Sequence, residues 1–324
     1  MLAAWYDRNG SAREVLQVGE LPDPEPRAGE VRVRVHVSGV NPGDIKKREG
    51  WLGSTMPYSR VVPHSDAAGV IDSVGAGVDT ARAGQRIWVH GAQSYRAFGT
   101  AAEYCTVPAD LAVPLPPEVS DEIGACLGIP GTTAHRAVFG DGPVQATIVL
   151  VHGVLGAVGS LAAQLAVRGG ATVIGTVRRS SDLDDPAAAA THLVALDRPD
   201  PAEAIRAHAP EGVDRIVEVS LSGNADLDTA VARPGATIAA YATGAADTTI
   251  PFWPMLFANL TVRLLGSDDF PAEVKHRAAR DLTELARTDP VIPIAARYPL
   301  RDIAAAHERI DGPGHGRVLV DIPG

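Results

Sequence analysis

The sequence predicts an α/β protein with two parts: a compact β-rich domain and a doubly wound parallel sheet with helices on both faces. Three observations point there. Residues 61–117 are rich in Val, Gly and Pro in short pieces, the texture of short strands joined by turns. From about residue 120, apolar strands alternate with long Ala-rich stretches, as in a sheet with crossover helices. The chain has 324 residues, too many for one ordinary core.

The elements follow in order. MLAAWYDRNGSAREV lacks the basic start and long apolar core of a signal peptide. Residues 30–40, EVRVRVHVSGV, alternate apolar and polar like a half-buried strand. AGVIDSVGAGV, GQRIWVHGA and AEYCTVPADLAVPLPP supply further short strands. ATIVLVHG, GATVIGTV, GVDRIVEVS and GATIAAYAT are the strands of the second part, and GSLAAQLAVRGG is a helix with a glycine C-cap. RDIAAAHERIDGPGHGRVLVDI reads as a helix, a glycine-rich turn and a last strand. This tail is expected to pack back on the first part, giving domains 1–119 with 267–324, and 120–266.

Hydrophobic residues make up 45% and charged residues 21% of the chain, a globular composition. No apolar run reaches the roughly 18 residues of a membrane helix, so a cytoplasmic protein is expected. Cys105 and Cys126 are the only cysteines, which fits a reducing compartment. A net charge of −10 argues against nucleic-acid and anionic-membrane partners.

The stretch VHGVLGAVGS, residues 151–160, carries glycines at 153, 156 and 159. It follows a strand, opens a helix and precedes another strand. That context favours a dinucleotide pyrophosphate over a plain turn. The second strand of that unit ends in GTVRRSS, with Arg178, Arg179, Ser180 and Ser181 and no acidic residue. Guanidinium forks and hydroxyls suit a 2′-phosphate, hence NADPH; a solvated basic loop is the alternative.

SGVNPGDIKKREG, VVPHSDAAGVIDSVGAGV, LGIPGTTAHRAVF and VLVHGVLGAVGSLAAQLA together resemble the quinone oxidoreductase, zeta-crystallin-like branch of the medium-chain dehydrogenase/reductases. The resemblance runs over nearly the whole chain. It implies a GroES-like substrate domain, a Rossmann domain, NADPH, reduction of quinones or activated alkenes, and a dimer or tetramer, of which a homodimer joined through the α/β domain is expected. Zinc-dependent relatives carry Cys where this chain has Asn41 and His where it has Ser65, and two cysteines cannot build a four-cysteine structural site. No metal is expected, and the neighbouring His64 is expected to be a loop histidine.

The resemblance also places site residues. Asn41 and Lys46 are the expected catalytic pair, Lys46 being favoured over Lys47 on the expectation that neighbours on a strand face opposite ways; two solvated lysines are the alternative. Thr133 is expected near the nicotinamide. Leu155, Gly156, Ala157, Val158 and Gly159 map to the pyrophosphate loop, where Val154 and Leu155 are bulkier than usual. Arg178, Arg179, Ser180, Asp197 and Asn224 map to the adenosine side, although an Asp at 197 would repel a 2′-phosphate. Ala240, Tyr241, Ala242 and Thr243, and then Ser267, Asp268 and Asp269, map to segments lining the nicotinamide. Trp51, Tyr58, Tyr95, Phe98, Phe252 and Trp253 are candidate pocket walls for a flat quinone or enone. A biosynthetic enoyl reductase or redox-neutral cyclase, and a non-enzymatic NADPH-binding protein, are the competing readings.

Overall fold

The structure, a computed structural model, describes residues 1–312 and 314–324. Pro313, in the expected glycine-rich turn, lies outside the described residues. The chain forms two compact units, residues 1–130, 279–289 and 294–324, and residues 131–278 and 290–293. The sequence reading divides the chain earlier, at 119/120 and 266/267. Residues 120–130 sit in the first unit because hydrogen bonds hold them there. Ile129 N–H donates to Asp66 Oδ1 at 2.8 Å, and Arg317 donates to the Ala125 carbonyl at 3.2 Å.

The first unit is built on a sheet in the spatial order Ile294–Pro299, Arg317–Asp321, Glu30–Val40, Asp66–Val74, Arg86–Val89, Ala112–Pro114, with Tyr104–Pro108 also paired to Glu30–Val40. The alternation in EVRVRVHVSGV does what its period dictates. Val31, Val33 and Val35 are fully buried, against Ile87, Val89, Val318 and Val320 among others. A helix spans Pro42–Glu49. It starts there because Pro42 occupies its first turn and the Asp44 carboxylate accepts the Asn41 N–H at 2.7 Å. It stops at Gly50, which takes the left-handed conformation with φ 69°.

The second unit holds a sheet in the order His192–Ala195, Thr172–Val177, Ile148–Val151, Val213–Glu218, Ala232–Ala240, Thr261–Leu264, with every pairing parallel. Leu150, Ile174, Val194, Ile216 and Ile238 run across its middle as buried residues. From Ile148–Val151 the chain winds to one side for two strands and then returns to place Val213–Glu218 on the other. That reversal creates a crevice at the carboxyl ends of Ile148–Val151 and Val213–Glu218, the usual ligand position of such sheets. Among the described residues, no helix is long and apolar enough to cross a membrane.

Candidate functional site

The glycine turn lies at that crevice. Gly153 takes φ +68° right after strand Ile148–Val151. Helix Ala157–Arg168 then begins, capped by Gly156, which brings no side-chain hydrogen bond. Its first-turn N–H groups therefore lack a side-chain cap and are oriented to receive an external acceptor. A Cβ on Gly159 would stand 2.2 Å from the Gly153 carbonyl oxygen, so only glycine lets the helix approach the turn this closely. Val154 and Leu155 are buried at 0% and 3%, so their bulk fills the core and leaves the outer face to Gly156, Ala157 and Val158.

The other residues mapped to a dinucleotide in this unit follow the carboxyl ends of successive strands, apart from Thr133, which is buried in helix Ile129–Phe139. Arg178, Arg179 and Ser180 follow Thr172–Val177 and are exposed. Asp197 follows His192–Ala195 and reaches back to Ser180. Its two oxygens each accept the Ser180 N–H at 3.0 Å, and Oδ1 also accepts the Ser180 hydroxyl at 2.6 Å. These bonds, with the charge of Arg179 nearby, hold the Asp197 carboxyl below its usual range. Asn224, in helix Leu221–Val231, donates its amide to both Glu218 oxygens at 3.1 Å. Ala240, Tyr241, Ala242 and Thr243 follow the end of Ala232–Ala240, where Tyr241 N–H donates to the Glu218 carbonyl at 3.1 Å. Ser267, Asp268 and Asp269 form a short turn after Thr261–Leu264, and the Asp268 carbonyl accepts from Lys275 Nζ at 2.7 Å.

Beneath the glycine turn the sequence reading missed a buried polar cluster. His152 Nε2 meets Asp228 Oδ1 at 2.9 Å and Glu218 Oε2 at 3.5 Å, and Nδ1 meets Thr176 Oγ1 at 3.0 Å. Thr176 Oγ1 accepts the Gly153 N–H at 3.2 Å, so the cluster reaches the turn directly. Burial opposes a charge on His152, but Asp228 and Glu218 outweigh it and raise the imidazole pKa. Burial pushes Glu218 up to about 7. The ligand atoms of His152, Glu218 and Asp228 lie within 4.8 Å of one another, a donor set able to hold a divalent ion. Its Nε2–Oδ1 contact is equally that of an imidazole N–H donating to a carboxylate. The signal available in the sequence was an ionisable residue at the end of each of two strands reading as buried.

The residues mapped to catalysis lie in the first unit. Asn41 is buried, its amide nitrogen donating to Asp66 Oδ2 at 2.8 Å and its oxygen accepting from Arg317 Nη1 at 2.6 Å. Arg317 Nη2 completes the triangle, 2.5 Å from Asp66 Oδ2. A Cβ on Gly39 would stand 2.1 Å from Arg317 Nη2, so glycine at 39 makes room for the guanidinium. Zinc does not fit this position. Asn41 and Ser65 are neutral, the Asp66 carboxylate already faces the Arg317 guanidinium, and the Asp44 carboxylate is held by the Asn41 N–H.

Lys46 is on helix Pro42–Glu49, not on a strand, so Lys46 and Lys47 are turned by about 100° instead of facing opposite ways. Both are half-buried. Lys46 Nζ lies 4.3 Å from the centre of the Trp51 ring, a cation–π contact. Of the expected pocket walls, Trp51 thus joins Lys46, Tyr58 joins Tyr95 through a 2.6 Å bond from its hydroxyl to the Tyr95 carbonyl, and Phe252 packs edge-on against Trp253. Phe98 is exposed.

His64 lies in a loop, as expected, but is fully buried there at φ 76°. Its Nδ1 meets Ser38 Oγ at 2.9 Å and its Nε2 meets His307 Nε2 at 3.0 Å. Arg48 Nε donates to His307 Nδ1 at 3.4 Å, and Thr100 Oγ1 donates to the Asp66 carbonyl at 2.8 Å. These ends fix the direction of the whole chain: Arg48 to His307, His307 to His64, His64 to Ser38, and Ser38 to Thr100.

Residues 27–117 match the alcohol dehydrogenase GroES-like domain family, and residues 157–279 match the zinc-binding dehydrogenase family. A zinc-type alcohol dehydrogenase-like protein of Schizosaccharomyces pombe is 36% identical over 170 residues, 52% of this chain and 50% of that one. Human quinone oxidoreductase is 29% identical over 303 residues, 92% of this chain and 90% of that one. A mycobacterial protein solved in complex with NADPH shares the fold, with a TM-score of 0.85 at 24% identity over 99% of this chain and 100% of that one.

Proposed function

The chain belongs to the quinone oxidoreductase branch of the medium-chain dehydrogenase/reductase superfamily, and from that premise we propose that it is an NADPH-dependent enzyme reducing quinones or α,β-unsaturated carbonyls without a metal ion. The observation that carries this reading is the turn at 153–159, where the helix N-terminus is left without a side-chain cap and Gly159 admits a close backbone approach. The chemistry supplied by bound NADPH is a hydride from nicotinamide C4.

The residues of this chain bind and orient. Backbone N–H groups of Ala157, Val158 and Gly159 take the pyrophosphate, while the Gly156 N–H closes the turn by donating to the Gly153 carbonyl at 2.8 Å, and Arg178 and Arg179 take the adenosine phosphate. Thr133, Asn224, residues 240–243 and residues 267–269 hold the remainder. The Lys46 ammonium, steadied over Trp51, supplies positive charge to an oxygen that becomes anionic in the transition state. Asn41 is a positioning residue, tied to Arg317 and Asp66. The half-buried Asp268 and exposed Asp269 lend polarity to their turn.

The proposed partner is a second copy of the chain. Phe252, Trp253 and Phe257 are 56%, 63% and 75% exposed, and Leu264, 74% exposed, ends the sheet's edge strand Thr261–Leu264. Apolar residues beside an open strand edge favour pairing with a like surface. Two buried free cysteines are in keeping with a cytoplasmic enzyme. The test is NADPH oxidation measured over a panel of quinones and enones in the presence of a chelator. Turnover of at least one class is expected; NADPH binding with no turnover of any of them would refute the reading.

A further inference from the structure

The pyrophosphate end of the second unit fits a dinucleotide, but the adenosine end carries a conflict. A 2′-phosphate brings a charge of roughly −1.5 to −2 and needs donors and cations. Beside the Arg178 and Arg179 side chains, the donors at the end of strand Thr172–Val177 include the N–H and hydroxyl of Ser180. Both already serve the Asp197 carboxylate, at 3.0 Å from each oxygen for the N–H and at 2.6 Å for the hydroxyl.

Resting on the dinucleotide reading above, we propose that Asp197 is a specificity-determining residue: its carboxylate acts as an internal anion that occupies the Ser180 donors and limits the preference for NADPH over NADH. Two physical effects act together. The bonds from Ser180 to Asp197 must be exchanged before a phosphate oxygen can take their place. A fixed negative charge beside Arg179 also offsets part of the attraction that Arg178 and Arg179 exert on the phosphate. The lowered pKa of Asp197 keeps that charge in place at neutral pH. A ribose 2′-hydroxyl meets neither obstacle, because it is neutral and can donate to a carboxylate.

Adenosine fragments isolate this end of the cofactor and need no turnover. Titration calorimetry compares adenosine 2′,5′-bisphosphate with 5′-AMP on the full chain and on Asp197→Ala. Losing the charge and freeing both donors is expected to tighten the bisphosphate about tenfold or more, with 5′-AMP moving less than about threefold. The gain shrinks as salt is raised. Asp197→Asn, which keeps an acceptor for Ser180 but drops the charge, falls between the two. If both fragments bind both proteins and their affinity ratio is the same, Asp197 has no such role and the dinucleotide reading still stands. If neither fragment nor NADPH binds the unaltered chain, the dinucleotide reading fails and this inference with it.

Discussion

Acid should unfold the first unit earlier than its overall composition implies, and the His64–His307 pair is the reason. Each ring holds one proton, and each of those protons is already committed. A second proton on His64 would set two N–H groups against each other across the 3.0 Å Nε2–Nε2 contact. A second proton on His307 would meet the Arg48 Nε–H instead. Burial, with the neighbouring Arg48 charge, pushes the His307 pKa down to about 3, and burial pushes His64 well below its ordinary value. The unfolded imidazole takes its proton at about 6.5. Between those values the unfolded state binds more protons, so stability is lost as pH falls below 6.5 and is unchanged above it. For His307 alone the loss by pH 4.5 spans two pKa steps, about 2.7 kcal/mol, a large part of a typical total of about 5–15 kcal/mol. Buried Asp44, raised to about 7, works in the opposite sense, gaining stability as pH falls. A comparison with His307→Gln cancels that background. Urea unfolding at pH 7.5 and 4.5, followed by tryptophan fluorescence in a Trp253→Phe background, reads the right unit, since Trp5, Trp51 and fully buried Trp88 lie in it and Trp253 lies in the other. The unaltered protein should lose about 2.7 kcal/mol more than the variant over that range. Parallel losses in the two proteins would refute the reasoning.

Gly159→Ala places a methyl 2.2 Å from the Gly153 oxygen, so NADPH binding by fluorescence titration should weaken at least about tenfold with the helix content retained; unchanged affinity would remove the turn from the site. Lys46→Met keeps volume and removes charge, so the turnover number should fall roughly ten- to a thousand-fold while NADPH affinity moves less. A loss confined to NADPH binding would make Lys46 a cofactor residue, and an effect only in Lys47→Met would shift the role to its neighbour. Removing both Arg178 and Arg179 should weaken NADPH more than NADH by about 3 kcal/mol, and equal losses would count against their role. Light scattering at micromolar concentration should give a dimer that Trp253→Ser with Phe257→Ser converts to monomer; a monomeric parent protein would end that proposal.

Elements with strong periodicity were legible. Glu30–Val40 alternates from Val31 to Val37 as its pattern demands, though its last residues Ser38 to Val40 are buried on both faces, and the short apolar runs at Ile148–Val151 and Thr172–Val177 are central strands. The helix at Pro42–Glu49 was written in the chain too. Asn, Pro and Asp at positions 41, 42 and 44 are helix-start chemistry, overlooked because the paired lysines drew attention to strand geometry. Long-range partnerships were not legible. Nothing local in Asn41 says that its carboxamide meets Arg317, 276 positions away. Likewise His152, Glu218 and Asp228 each look ordinary until two parallel strands and the helix Leu221–Val231 bring them together.

The placement of Arg317–Asp321 has a consequence for the chain as it is being made. That strand lies against Glu30–Val40, and its first residue carries the guanidinium that meets Asn41 and Asp66. A ribosome adding about 5–20 residues per second needs roughly 10–40 s to travel from residue 130 to residue 317. Throughout that interval residues 30–34 of the long strand can already pair with Tyr104–Pro108, but residues 37–40 lack their partner on that flank, while the contiguous stretch 131–278 can emerge and fold. The nascent protein therefore carries a short unpaired edge at residues 37–40 through most of its synthesis, and a stall late in translation would release chains with that edge open to pairing.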